Sequence, residues 1–200
     1  MPENAKHYIG GFYMNKTAVI VVDLVYDFTN PNGKIYYPLN AELLPRIHDF
    51  VTEARKLGSL IVYMQHTVTP EIIARSPKKT RECCLEGSGG ECIDERLEVL
   101  PQDLVIKKAK YSSFFNTSLK DELFARGIHT IIVVGTKTNN CVYATVLDAY
   151  NLDIRVYVPR ELVGTADAVT NTTFLNEMNK YLCEVDNPEV ILTKLREKSL

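Results

Sequence analysis

The chain has 200 residues, 46% of them hydrophobic, which is enough for one domain with a large core. Its formal charge of −2, with both signs interspersed, argues against a nucleic-acid or membrane surface built on bulk charge. No apolar run nears the roughly 20 residues that span a bilayer, the N-terminus lacks the apolar centre of a signal peptide, and the five cysteines are an odd number with no secretory context. A single cytoplasmic domain over 1–200 is expected, with residues 1–15 as an N-terminal arm.

Residues 18–22 are an apolar, β-branched run ending at Asp23, which predicts a strand buried on both faces. Asp23 then stands at the strand's carboxyl end, as a helix N-cap or a catalytic carboxylate. Asp27 and Phe28 follow in a loop, and Asn30, Pro31, Asn32 and Gly33 are turn residues. Leu43, Leu44, Ile47, Phe50, Val51 and Ala54 recur at helical spacing over 40–57, with Asn40 as candidate cap and Gly58 as the stop. Residues 60–64 predict a second strand, with Gln65 and His66 at its ligand end. His66 stands as a wall residue or a metal ligand, and no second His or carboxylate lies at metal-ligand spacing around it.

Residues 70–101 are the least regular stretch. Arg75, Lys78, Lys79 and Arg81 read as a solvated basic face. Cys83, Cys84 and Cys92 flank a glycine cluster that matches neither a zinc site nor a phosphate-binding loop. A lid or an interface is the expectation for such a segment. A third strand is predicted over 103–106, and Lys107, Lys108 and Lys110 follow it. One of these lysines turned into a cleft would support an anion or a thiolate, and spacing alone does not choose which. Ser118 is expected to cap a helix that runs to Arg126 and stops at Gly127.

The run at 131–134 is a fourth buried strand, closed by Gly135. A polar turn leads to Cys141 in the first turn of a helix marked by Val142, Leu147 and Ala149. In an open α/β sheet, ligands bind beyond the carboxyl end of a strand. A thiol there feels the positive end of the helix dipole, which favours the thiolate, and the same amides can receive an oxyanion. Cys141 is therefore a candidate nucleophile, against the plainer role of a small half-buried apolar residue. Residues 154–158 predict a fifth strand, 165–180 a helix, 182–185 a short sixth strand, and Asn187-Pro188 opens a last helix. The alternation predicts a three-layer α/β/α, Rossmann-like domain with a mainly parallel six-stranded sheet.

Three segments together resemble the isochorismatase-like cysteine hydrolases. They are Val22-Asp23-Leu24-Val25-Tyr26-Asp27-Phe28, Lys108-Ala109-Lys110-Tyr111-Ser112-Ser113-Phe114-Phe115-Asn116-Thr117-Ser118-Leu119, and Gly135-Thr136-Lys137-Thr138-Asn139-Asn140-Cys141-Val142 with Thr145, Asp148 and Ala149. The resemblance covers nearly the whole chain. It implies a triad of Asp23, Lys108 and Cys141, with Lys107 and Lys110 as bystanders. It also implies a cis peptide between Lys137 and Thr138, an oxyanion hole from the amides of Thr138 and Cys141, and a homo-oligomer (dimer or tetramer). Phe28, His66, Tyr111 and Phe114 are the candidate substrate contacts.

Val25 stands where the family commonly has Gln. Met64 and Ile72 stand where nicotinamidases of the family place an Asp and a His for their metal, so no metal and no cofactor are expected. The implied activity is hydrolysis of a small amide or carbamoyl C–N bond through a thioester, releasing ammonia, with a small molecule as the only partner. The alternatives are a nicotinamidase, a vinyl-ether hydrolase of the isochorismatase type, which needs no cysteine, and a catalytically silent scaffold.

Overall fold

The computed structural model describes residues 16–75 and 82–200. The expected arm at 1–15 and three of the basic-patch residues, Lys78, Lys79 and Arg81, lie outside the described residues. No helix among the described residues is long and apolar enough to cross a membrane.

Strand β1 (Thr17–Val22) is buried along its whole length, and its side chains alternate between two cores. Ala18, Ile20 and Val22 face one, and Val19 and Val21 face the other. A strand apolar on both faces is stable only between two helical layers, where each buried Val or Ile contributes about 1.5–3 kcal/mol. The next elements are a one-turn helix α1 (Tyr26–Thr29), the long helix α2 (Leu39–Lys56) and strand β2 (Leu60–His66). Short α3 (Pro70–Ala74), β3 (Leu104–Lys108), α4 (Leu119–Ala125), β4 (Thr130–Thr136), α5 (Tyr143–Asn151), β5 (Arg155–Pro159), β6 (Val163–Gly164), α6 (Ala168–Tyr181), β7 (Glu184–Asp186) and α7 (Pro188–Arg196) complete the chain.

The main strands lie in the order β3-β2-β1-β4-β5-β7, and every ladder is parallel. The seventh strand, beyond the six expected, is β6. It is two residues long and pairs Val163 and Gly164 with Gly135 and Thr136, too short to leave a periodic signal. From β1 the chain builds outward through β2 and β3, then returns to build the other side from β4. The topological switch point therefore falls between β1 and β4, where ligands collect in open α/β sheets.

Helices α4, α5 and α6 cover one face through Leu119, Leu123, Val146, Ala149 and Met178. Helices α2 and α7 cover the other through Leu43, Leu44, Ile47, Ile191 and Leu192. Two caps differ from expectation. Pro38 holds the N-cap of α2, and Asn40 lies inside the helix, donating its side-chain N–H to the Phe28 carbonyl at 2.9 Å. Ser118 makes no side-chain cap, and the Thr117 hydroxyl accepts the Leu119 N–H instead, at 3.3 Å. Gly58, at φ +89°, ends α2 as expected.

Candidate active site

Asp23 follows directly on β1 with φ 55°, in the left-handed region that few non-glycine residues adopt and that Asp and Asn adopt more readily than most. It caps no helix, since the N-cap of α1 is Val25. Its N–H donates to the Met64 carbonyl at 3.1 Å, which ties the tip of β1 to that of β2. Lys108 is the last residue of β3, and it is the lysine that the sheet turns inward. Its Nζ lies 2.7 Å from Asp23 Oδ2, with both side chains at most 1% exposed. The same ammonium donates to the carbonyls of Lys110 at 2.9 Å and Tyr111 at 3.1 Å. Lys107 points outward to an exposed pair with Glu86. Alternation along the strand separates the two lysines.

The thiol of Cys141 comes from the other side of the switch point. It lies in a single π-helical turn, Thr138–Val142, that precedes α5, rather than in a regular first α-turn. The cis peptide of this segment lies between Thr136 and Lys137, one residue earlier than Lys137–Thr138. The ladder to β6 holds Thr136 as the last strand residue, and the Lys137 carbonyl already accepts from Asn140 and Val142 inside the turn, so the chain reverses one residue sooner. Gly135 makes the approach possible. It has φ +112°, and a Cβ there would fall 2.2 Å from the Val22 carbonyl oxygen.

Hydrogen bonds from distant elements lock the turn. The buried Thr145 hydroxyl donates to the Cys141 carbonyl at 2.7 Å, accepts the Ser113 N–H at 3.0 Å, and lies 2.9 Å from the Ser113 hydroxyl. The segment behind Lys108 is thereby tied to the nucleophile's helix. Thr138 donates to the Asn171 side chain of α6 at 2.6 Å, and Thr165 donates to that of Asn139 at 2.8 Å. Thr145 belonged to a motif visible in the sequence. Asn171 had no local signal, because its partner lies 33 residues away.

The electrostatics correct one expectation. Burial pushes the Cys141 thiol above its ordinary pKa, and the Asp23 carboxylate pushes it further, while Lys108 opposes both. The resting sulfur is therefore a thiol, not the thiolate that a helix mouth alone would favour. Burial also works against the charge on Lys108, but Asp23 and Cys141 outweigh it and raise its pKa, so the ammonium stays charged. Asp23 Oδ1 is buried with no hydrogen-bond partner among the described residues. A buried carboxylate oxygen with no donor among these residues, near a thiol that carries a proton, is placed where it can take that proton.

Around this pair, His66 and Phe28 stack with ring centroids 5.9 Å apart. Burial lowers the His66 pKa, with Asp23 opposing and Lys108 assisting, so the ring is neutral at pH 7. The Phe114 side chain packs against the core cluster that contains Cys141. Tyr111 enters the site through its carbonyl, while its side chain is 61% exposed. Met64 is buried in the core, and no three His, Cys, Asp or Glu side chains among the described residues are grouped to hold a metal.

The irregular segment folds onto its own chain. The Asp27 carboxylate accepts the Cys84 N–H at 2.6 Å and the Lys34 N–H at 3.1 Å, and its N–H donates to the Gly90 carbonyl at 2.9 Å. Val25 forms a bridge with Ile93. Cys83 and Cys84 are buried, and Cys92 is exposed.

An ion pair of acid and ammonium facing a buried thiol across the switch point of a parallel sheet defines a cysteine-hydrolase type of site. The isochorismatase domain model matches residues 17–187. A maleamate amidohydrolase of Pseudomonas putida is 27% identical over 154 residues, covering 74% of this chain and 72% of that protein. A ureidoacrylate amidohydrolase of Acinetobacter baylyi is 32% identical over 165 residues, covering 69% of this chain and 66% of the relative's length. Among solved structures, a cysteine hydrolase of Pseudomonas syringae superposes with a TM-score of 0.84 at 24% identity, over 92% of this chain and 94% of that one. The chain belongs to the isochorismatase family.

Proposed function

We propose that this chain hydrolyses a small amide or carbamoyl C–N bond through a thioester on Cys141. The observation that carries this reading is the sealed Asp23–Lys108 pair at 2.7 Å, whose charges act on the Cys141 thiol. Asp23 takes the thiol proton as sulfur attacks the carbonyl carbon, and Lys108 keeps the shared negative charge in place. Backbone amides of the turn, that of Cys141 among them, receive the oxyanion, where one preorganised donor is worth about 3–4 kcal/mol of barrier. The Thr138 amide loses its expected part, since the cis bond that would have turned it lies one residue earlier. Protonated Asp23 passes its proton to the departing nitrogen, which leaves as ammonia. Asp23 then takes a proton from water, the hydroxide adds to the thioester, and collapse frees the acid and restores the thiol.

The amidohydrolase relatives support the bond type. A vinyl-ether hydrolase has no use for a thiol built into such a network. The test is ammonia release over carbamoyl amino acids, ureido acids and monoamides, with the acyl-enzyme mass read after a rapid quench. Turnover with an acylated Cys141 is the expected result. Cys141→Ser retaining the full rate would remove the covalent step.

A further inference from the structure

His66 takes part in none of the steps above, yet it stands among the groups that perform them. It ends β2, the strand between the two whose tips carry Asp23 and Lys108. Its ladder partner is Lys108, and two residues before it the Met64 carbonyl accepts the Asp23 N–H. Met64, Ile106 and Cys141 belong to one core cluster, so alternation along β2 and β3 sets His66 and Lys108 on the face of the sheet where the thiol lies. The charges of Asp23 and Lys108 both act on the ring, and stacking on Phe28 fixes its plane.

Three buried side-chain polar atoms lack a hydrogen-bond partner among the described residues, and two of them are Asp23 Oδ1 and His66 Nδ1. Leaving such an atom alone costs about 1–3 kcal/mol, which a group brought in by the reaction can offset. Asp23 is the acid toward the departing nitrogen and the base toward the water that follows, so both occupy the place beside its free oxygen. Each still carries an N–H or O–H that Asp23 does not engage. Those hydrogens need an acceptor. Lys108 has no lone pair and Phe28 no polar atom, whereas a neutral imidazole has one nitrogen free to accept.

We infer that His66 is a further catalytic residue, whose Nδ1 accepts a hydrogen bond from the leaving nitrogen during acylation and from the attacking water during deacylation. No proton passes through the ring, so Asp23 keeps its part in each step. This rests on the hydrolase reading and adds to it a seat for the group exchanged at the thioester. A leaving group with no hydrogen to donate makes no use of that seat.

The experiment uses p-nitrophenyl acetate, whose nitrophenolate departs with neither a proton nor a hydrogen bond to His66. It is mixed with the wild type and with His66→Phe, which keeps the aromatic stack. Both proteins are expected to release a first equivalent of nitrophenolate at similar rates and to carry acetyl-Cys141 by mass. The steady rate of His66→Phe, set by water, falls about 10- to 100-fold, the range of one hydrogen bond to a group gaining charge. Hydroxylamine, which attacks a thioester without help from a base, clears the acetyl group from both proteins alike. His66→Asn sets an amide oxygen close to the place of Nδ1 and recovers most of the steady rate. An equal steady rate in His66→Phe, a first phase lost together with it, or His66→Asn no better than His66→Phe would overturn the assignment. A wild type that releases ammonia from an amide, matched by His66→Phe, removes the seat and leaves the hydrolase. A wild type that forms no acetyl-Cys141 and frees no ammonia from any amide removes both.

Discussion

Lys108 Nζ and Asp23 Oδ2 meet at 2.7 Å across 85 residues of chain, from the tips of strands separated in the sheet by β2. Neither side chain retains more than 1% of its surface. Two desolvated charges stabilise a fold only while both are present, and removing one partner of such a pair costs about 3–5 kcal/mol. Lys108→Met is therefore expected to lose about that much, because Asp23 and the carbonyls of Lys110 and Tyr111 lose their donor. Adding Asp23→Asn should recover part of the loss by discharging the stranded acid. Urea unfolding of the wild type, both single variants and the double variant measures this. A double variant less stable than Lys108→Met would contradict it.

The state of the thiol separates two modes of activation. Since burial and Asp23 raise the Cys141 pKa and Lys108 lowers it, Asp23→Asn removes a raising influence and keeps the lowering one. Iodoacetamide should alkylate Cys141 faster in that variant at pH 7, while amide hydrolysis falls by a factor of at least about 100 for want of the base. Alkylation read by peptide mass, beside ammonia release, gives both numbers. A slower alkylation in the variant would mean that Asp23 holds a thiolate in the resting protein.

Thr145 joins the Cys141 carbonyl to Ser113 through one buried hydroxyl. Thr145→Val keeps the shape and strands these groups, at a cost of about 1–3 kcal/mol. A larger fall in kcat than in KM is expected, because the geometry of the turn changes and the cleft does not. Steady-state kinetics with a denaturation curve checks it. An unchanged kcat would reduce Thr145 to a packing residue.

The sheet was legible because each strand is a local pattern, and the places of Asp23 and Cys141 followed from the strand ends, whereas Lys108 was singled out only by the family resemblance. The buried runs at β1, β2 and β4 end at residues whose chemistry changes abruptly, as at Asp23 and after Gly135. Alternation along β3 sends Lys107 and Lys108 to opposite faces, but spacing does not say which face is the cleft; the buried pair of Lys108 with Asp23 and the exposed pair of Lys107 with Glu86 do. The protonation of Cys141 was not legible, because it depends on burial by elements far along the chain. The same holds for Asn171 on Thr138 and for the cis bond, which the ladder to β6 moves to Thr136–Lys137. Helix α1 and strand β6 are shorter than any period can reveal.

Gly90 tests the closure of the irregular segment over the strand tips. A Cβ at this position would fall 2.4 Å from the Asp27 carboxylate, which itself holds the Cys84 N–H. Gly90→Ala is expected to release residues 82–94 without unfolding the sheet. Faster proteolytic cleavage there, and alkylation of Cys83 and Cys84 in the folded protein, are the readouts. Protection equal to the wild type would show that the backbone shifts to take the methyl group.

His66 links acid stability to the site. Burial and Lys108 lower its pKa below the ordinary 6.5, against the pull of Asp23, and its Nδ1 is buried with no hydrogen-bond partner among the described residues. The unfolded chain takes up a proton near pH 6.5, whereas the folded chain does so only at lower pH. The unfolded state therefore binds more protons in that window, and stability is full above 6.5 and falls as pH drops toward the folded value. The slope from this one group approaches about 1.4 kcal/mol per pH unit. His66→Gln removes the titration, so the difference in unfolding free energy between variant and wild type should shift in favour of the variant as pH falls from 7 to 5. Denaturant curves at half-unit steps measure it. A difference that stays constant across the range would show that the ring is protonated as readily in the folded protein as in the open chain.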